Sequence, residues 1–451
     1  MLDALPRPAG RQVSPRAAAA TVSTLAVAAL TGYLVVRLPA AGALLVVAPI
    51  AVWLLLNRVW TVTLLGLTLP YLLDISGGAV GLNVAPSDVL LVVLVGGLLV
   101  EYAVAGRAPE VAAIAPLKLA VGQHVAVMGV LLVAHPGLTG VVNTFQRLEL
   151  FVFPLLVGAL VVRLGRERLV LTAFVVATTA TAALWLAGIT FGNKNPMGQF
   201  MADGIVVILA VKEFRRRFAL AIPVLVAGVL WTQSRGSIVS VGFAFAALLL
   251  VQPGRRSRLK LSLLAVPMAV VSFVAFRFLP EEAQQRNLTF TSGNESAGEW
   301  AIKIREAYQA DAWELIHAHP WTGVGVGNYL SGSGFEGTLT NDPHQVLLLM
   351  AAEGGYVYAA SFLLMVGGAV WVVWRHARRA PLAPAAVAVT AAIVGHGLFD
   401  VYWVRGGPVP GWLLIGMALA QAARGGPEPD PAEPAARVET PHPSSTPEVP
   451  A

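Results

Sequence analysis

The chain has 451 residues, 56% of them hydrophobic and 12% charged, with a mean hydropathy of +0.71. No soluble domain of this size can bury so much apolar side chain, so the composition is that of a polytopic membrane protein. The absence of cysteine excludes disulfides and thiolate metal sites, and the net charge of +6 lies in short basic clusters between apolar runs, which suits loops facing anionic headgroups and argues against a nucleic-acid partner.

Arg7, Arg11 and Arg16 precede a first apolar run, 17–36, which is long enough to cross a bilayer and reads as a retained helix. Further apolar segments follow near 40–56, 59–73, 89–104, 113–133, 147–162, 169–190, 199–211, 218–232, 235–251, 259–279, 345–374, 383–400 and 409–423. Several of them, those near 59–73, 199–211 and 409–423 included, fall below the roughly 17 residues needed to span, so the fold class expected is an all-α polytopic membrane protein with about 12–14 transmembrane helices. The expected organisation is transmembrane helices over 1–279, one large loop over 280–344, C-terminal transmembrane helices over 345–424, and a Pro- and Glu-rich tail over 425–451 that reads as disordered and cytoplasmic.

Orientation follows from the basic clusters. With the N-terminus inside and the spans alternating, the interior loops collect Arg58, Arg107, Arg163 to Arg168, Lys212 to Arg217, Arg255 to Lys260 and Arg375 to Arg379, most of the 31 Lys and Arg. The same alternation puts the 280–344 loop outside. With it go Asp74 to Asp88, His135 to Arg147, Asn193 to Gln199, Ser234-Arg235-Gly236, and Asp400 to Pro408.

Charge at the outer ends of spans is costly and asks for a cause. Arg147, Arg235, Arg305 and Arg405 hold such positions; snorkelling or pairing, as of Arg147 with Glu149, is one reading of each. For Arg235 the neighbours Ser234, Gly236 and Ser237 leave a helical first turn open, where backbone N–H groups and a guanidinium can face one anion. Within the loop, 298–319 reads as an amphipathic helix with Ile304, Tyr308, Ala312 and Leu315 on one stripe, expected to lie on the membrane surface and to bring Arg305 to headgroup level.

The run His319-Pro320-Trp321-Thr322-Gly323-Val324-Gly325-Val326-Gly327-Asn328 lacks the spacing of a dinucleotide loop and reads as a turn that lets backbone approach a ligand or a neighbouring helix. Gly323, Gly325 and Asn328 are therefore candidate substrate-binding positions, with Ser234, Gly236 and Arg147. Glu314, His317 and His319 invite a metal, but His317 and His319 do not share a helix face, and no metal site or cofactor is read. His344 follows Asn341-Asp342-Pro343 where an aqueous loop enters the bilayer, as a proton acceptor or as the cap of the helix that follows.

Taken in order, Ser234-Arg235-Gly236, Arg305 ahead of the 319–329 run, Pro343-His344-Gln345, Glu353-Gly354-Gly355, and His396-Gly397-Leu398-Phe399-Asp400 resemble the O-antigen ligase and O-antigen polymerase superfamily. The resemblance is strongest over 190–400 and departs at Gln345, where the family usually has Asn. It implies a GT-C-like helical fold with a large extracytoplasmic loop in the cytoplasmic (inner or plasma) membrane. It implies metal-independent, inverting transfer of a glycan from an undecaprenyl-diphosphate-linked donor to a lipid or glycan acceptor, among membrane lipids. In that likeness Arg235 and Arg305 hold the diphosphate, His344 activates the acceptor hydroxyl, and Arg147 is a further phosphate contact. Ligase and polymerase differ in acceptor and are not separated by the motifs. A lipid-linked glycan transporter or flippase is the rival from another class; it is disfavoured because no internal repeat is evident and the charges gather at one face.

Overall fold

A computed structural model describes residues 49–71, 75–76, 83–189, 193–232, 234–251, 297–332, 342–375, 380–400 and 406–425. The chain divides into two compact units, Met1–Thr61 and Val62–Ala451. In the first, the described residues are helical over Pro49–Leu56, and Thr61 Oγ1 donates to the Leu54 carbonyl at 2.6 Å. The expected spans at 17–36 and 259–279 and the tail from 426 onward lie outside the described residues.

Among the described residues the fold is all-α apart from one two-residue antiparallel ladder, Ile75–Ser76 with Asn83–Val84. After α1 (Arg58–Thr68), α2 (Pro86–Ala105) starts on a proline, with the Ala85 N–H held by Asp88 Oδ2 at 2.7 Å, and stops at Gly106 in the left-handed region. Next come α3 (Pro109–Ile114), α4 (Lys118–Ala134), α5 (Leu138–Arg163), α6 (Glu167–Leu186), α7 (Lys194–Ala210), α8 (Phe214–Arg217), α9 (Ala221–Thr232) and α10 (Arg235–Val251). The loop region contributes α11 (Ala297–Ala318) and α12 (Tyr329–Gly332), and the chain continues with α13 (Val346–Arg375), α14 (Ala383–Gly397) and α15 (Val409–Arg424).

Among the described residues, five helical segments are long and apolar enough to cross a membrane: Pro86–Ala105, Pro109–Ala134, Leu138–Arg163, Glu167–Leu186 and Val346–Arg375. The short segments expected near 199–211 and 409–423 are of a different kind. Every residue from Pro196 to Ala210, and every residue from Val409 to Ala420, is buried, so protein surrounds these helices on all sides, and the polar Gln199 and Asp203 of the first bond to each other. Small residues set the helix spacing: a Cβ at Gly158 of α5 would meet the Leu413 carbonyl of α15, and one at Gly416 would meet the Leu155 carbonyl in return.

α11 matches the helix expected over 298–319, but its stripe has another use. Ala312, Leu315 and Ile316 are buried in one cluster with Leu349, Ala351 and Ala352 of α13, and Tyr308 is buried as well. Lipid headgroups were the expected cover; the protein itself supplies it, and this docks the loop helix on the start of α13.

Candidate active site

α13 is broken in its first third, where Gly354 (φ −139°, ψ 18°) and Gly355 (φ 68°, ψ −174°) leave the helical region. A break at membrane depth strands backbone polar groups, which need partners inside the protein. The Gly-rich run supplies them: Val324 N–H donates to the Ala352 carbonyl at 3.0 Å, Gly325 N–H to the Glu353 carbonyl at 2.8 Å, and Tyr356 N–H to the Pro320 carbonyl at 2.8 Å. The fit requires glycine on both sides, since a Cβ at Gly323 would strike the Glu353–Gly354 backbone and one at Gly355 the Pro320–Trp321 backbone. Asn328 closes the turn, its N–H donating to the Gly325 carbonyl at 3.1 Å.

Arg147 belongs to this lock. Its guanidinium forms an ion pair with Glu353 and donates to Tyr358 Oη at 3.0 Å, while Glu353 Oε1 accepts the Gly327 N–H at 3.0 Å. The pairing of Arg147 with Glu149 considered from sequence is replaced by this longer-range one. Glu353 is sealed, its side chain 2% exposed, and Arg147 is mostly enclosed at 11%. Of the candidate substrate-binding residues, Arg147, Gly323, Gly325 and Asn328 thus share one cluster, and each has a protein partner there.

A second cluster forms where four helix ends meet: the starts of α7, α10 and α13 and the end of α14. Gln345 caps α13, its Oε1 accepting the Leu348 N–H at 2.6 Å, so His344 is not the cap and its ring is available for another partner. The backbone of His344 has φ 58°, an unusual value for a residue with a side chain, and its N–H donates to Asp342 Oδ1 at 2.7 Å. The imidazole stacks on Tyr308 of α11, with centroids 5.9 Å apart, and its Nδ1 lies 3.2 Å from Asp400 Oδ1.

Asp400 stands just beyond the C-terminus of α14, the unfavourable end of a helix dipole for an anion. Donors offset this. Arg305 Nη2 donates to Oδ2 at 3.1 Å and Asn195 Nδ2 donates to the same oxygen at 2.6 Å. Burial pushes the Asp400 carboxyl up, but the His344 hydrogen bond and the charges of Arg305 and His396 outweigh it and hold it at about 2. An ionised carboxylate can only accept, so His344 Nδ1 donates to it, and in the neutral form of the ring the lone pair is on Nε2. The His344 side chain is 15% exposed and that of Arg305 29%, against 5% for Asp400.

The start of α10 joins the same place. Ser237 N–H donates to Ser234 Oγ at 3.3 Å, and Ser237 Oγ donates to the Asn195 carbonyl at 3.2 Å. Gly236 is buried, and a Cβ there would lie 2.9 Å from His396 Nε2, so this glycine serves the close approach of α10 to α14. Arg235 is the first residue of α10; its side chain, like Arg405, lies outside the described residues. His317, considered for a metal, stacks on Trp313, and among the described residues no group of three His, Asp or Glu could hold a metal ion.

The structure therefore brings Arg305 and His344 together on Asp400, and brings Ser234 and Gly236 to the neighbouring helix start. Asp400 and Asn195 were not among the residues singled out for chemistry. The signal for Asp400 was its place in the His396 to Asp400 motif; Asn195 gave none.

Residues 218–363 match the O-antigen ligase family, in agreement with the motif resemblance, and the match supports a membrane enzyme of glycan transfer. No curated protein matches the chain.

Proposed function

We propose that this chain, which carries an O-antigen ligase domain over 218–363, moves a glycan from an undecaprenyl-diphosphate donor to an acceptor hydroxyl at the outer face of the cytoplasmic membrane. The observation that carries the reading is the His344–Asp400–Arg305 cluster: an oriented imidazole beside a partly open guanidinium at converging helix ends. His344 Nε2 takes the acceptor hydroxyl proton while the acceptor oxygen bonds to the anomeric carbon. The bond from that carbon to the diphosphate oxygen breaks, and the diphosphate leaves with the electron pair. A single displacement inverts the anomeric centre. Asp400 balances the imidazolium as it forms, and Arg305, with Arg235 from the start of α10, meets the charge that develops on the leaving group.

The helix ends that gather here are those the basic-loop alternation assigns to one face, which supports a site on the extracytoplasmic side. Guanidinium groups can stabilise a leaving diphosphate without a cation. The test is transfer by purified protein in lipid, given a lipid-diphosphate glycan and a hydroxyl acceptor. Release of the lipid diphosphate with a new glycosidic linkage, unchanged in EDTA, is expected. Movement of the intact lipid-linked glycan with no change of linkage would favour a transporter, and loss in EDTA restored by a divalent metal would overturn the metal-independent mechanism.

A further inference from the structure

Asp400 has to present a particular oxygen to His344. Its two oxygens are divided: Oδ1 faces the imidazole, and Oδ2 takes the Arg305 guanidinium and the Asn195 carboxamide. At 2.6 Å the Asn195 contact is the shortest of the three, and the residue making it is itself anchored. The Asn195 N–H donates to Asn193 Oδ1 at 3.0 Å, the cap of α7, and the Asn195 carbonyl accepts from Ser237 Oγ on α10. Arg305, by contrast, comes from the loop helix on a long flexible stem and is the group that meets the departing diphosphate, so it is a poor sole anchor for the carboxylate during the reaction.

We propose that Asn195 is a positioning residue for glycan transfer. Its carboxamide fixes the Asp400 rotamer so that Oδ1 holds His344 Nδ1–H, and its backbone ties that carboxylate to the helix start that bears Arg235. Asn195 acts through Asp400 and His344, not on the reacting atoms. The inference rests on the functional reading above and adds to it a further side chain, nearly 150 residues before the histidine it serves.

Asn195→Asp tests it, because the change keeps the shape and turns the donor into an acceptor facing Asp400 Oδ2. The expected result is a fall in kcat of about 10- to 100-fold with the donor KM within about twofold, together with a lower melting temperature in detergent. In an Asp400→Asn background the same substitution should cost no melting temperature, since the carboxamide introduced at position 400 can donate to the carboxylate introduced at position 195. Transfer should stay low there, because His344 then lacks its anion. Parental kcat for Asn195→Asp, or the same loss of melting temperature in both backgrounds, would overturn the inference. If the parent protein transfers no glycan the functional reading fails, and the melting-temperature cycle still decides whether Asn195 holds Asp400.

Discussion

Two arginine–carboxylate pairs serve the two ends of one stretch of α13. Arg147 and Glu353 sit at its break, mostly enclosed, with the Gly-rich run closed over them. Arg305 and Asp400 sit ahead of its start, with the arginine partly open and a histidine on the other carboxylate oxygen. Arg305, Glu353 and Asp400 come from motifs that resemble the same family, yet only the second pair leaves a guanidinium partly open to a substrate, with an imidazole beside it. Charge at a span end marks a place where the protein has invested polar groups; accessibility and a proton-accepting neighbour are what separate chemistry from architecture.

Changing one partner in each pair should give opposite signatures, and this is the strongest way to break the comparison. Glu353→Gln leaves Arg147 buried without its anion and should cost on the order of 3–5 kcal/mol of stability, read as a large fall in melting temperature. Arg305→Lys keeps a positive charge beside the buried Asp400 carboxylate, which also retains the Asn195 carboxamide, so its stability cost should be much the smaller of the two. The planar fork is lost, however, and transfer should fall by roughly 10- to 100-fold. Equal destabilisation by the two substitutions would erase the distinction.

A smaller effect sharpens it. Burial, aided by the negative charges of Glu353 and Asp400 and opposed by His344, pushes the Asp342 carboxyl from 3.8 up to about 6. A raised carboxyl contributes stability that is present below 3.8 and lost as the pH rises through about 6. Asp400 has the opposite sign, and its contribution is lost only as the pH falls towards about 2. Asp342→Asn should therefore flatten the melting temperature between pH 4 and 6, where the parent declines with rising pH. A variant with the parent's slope would remove Asp342 from the account.

Much of this was legible from the residues. The polytopic helical class follows from hydropathy, and the ends of α11 follow from apolar spacing. Arg305 and His344 stood out because a polar residue at the membrane boundary needs a reason. What the sequence left open is pairing at long range. Asn195 and Asp400 are 205 positions apart and Arg147 and Glu353 are 206, so no local pattern links them. The stripe of α11 illustrates the same limit: period 3.6 reveals an apolar face, and only the packed structure shows that α13 covers it. The short helices 199–211 and 409–423 were read by length as doubtful spans, whereas their all-round burial reflects neighbours that length does not encode.

The central claim is that His344 accepts the proton and the arginines hold the donor, which makes binding and transfer separable. The most direct measurement is donor binding and single-turnover transfer by purified, folded His344→Ala protein with a lipid-diphosphate glycan. Binding close to that of the parent, with transfer slowed by roughly 100- to 10,000-fold, is predicted. Transfer at the parental rate, or loss of binding in step with loss of transfer, would contradict it.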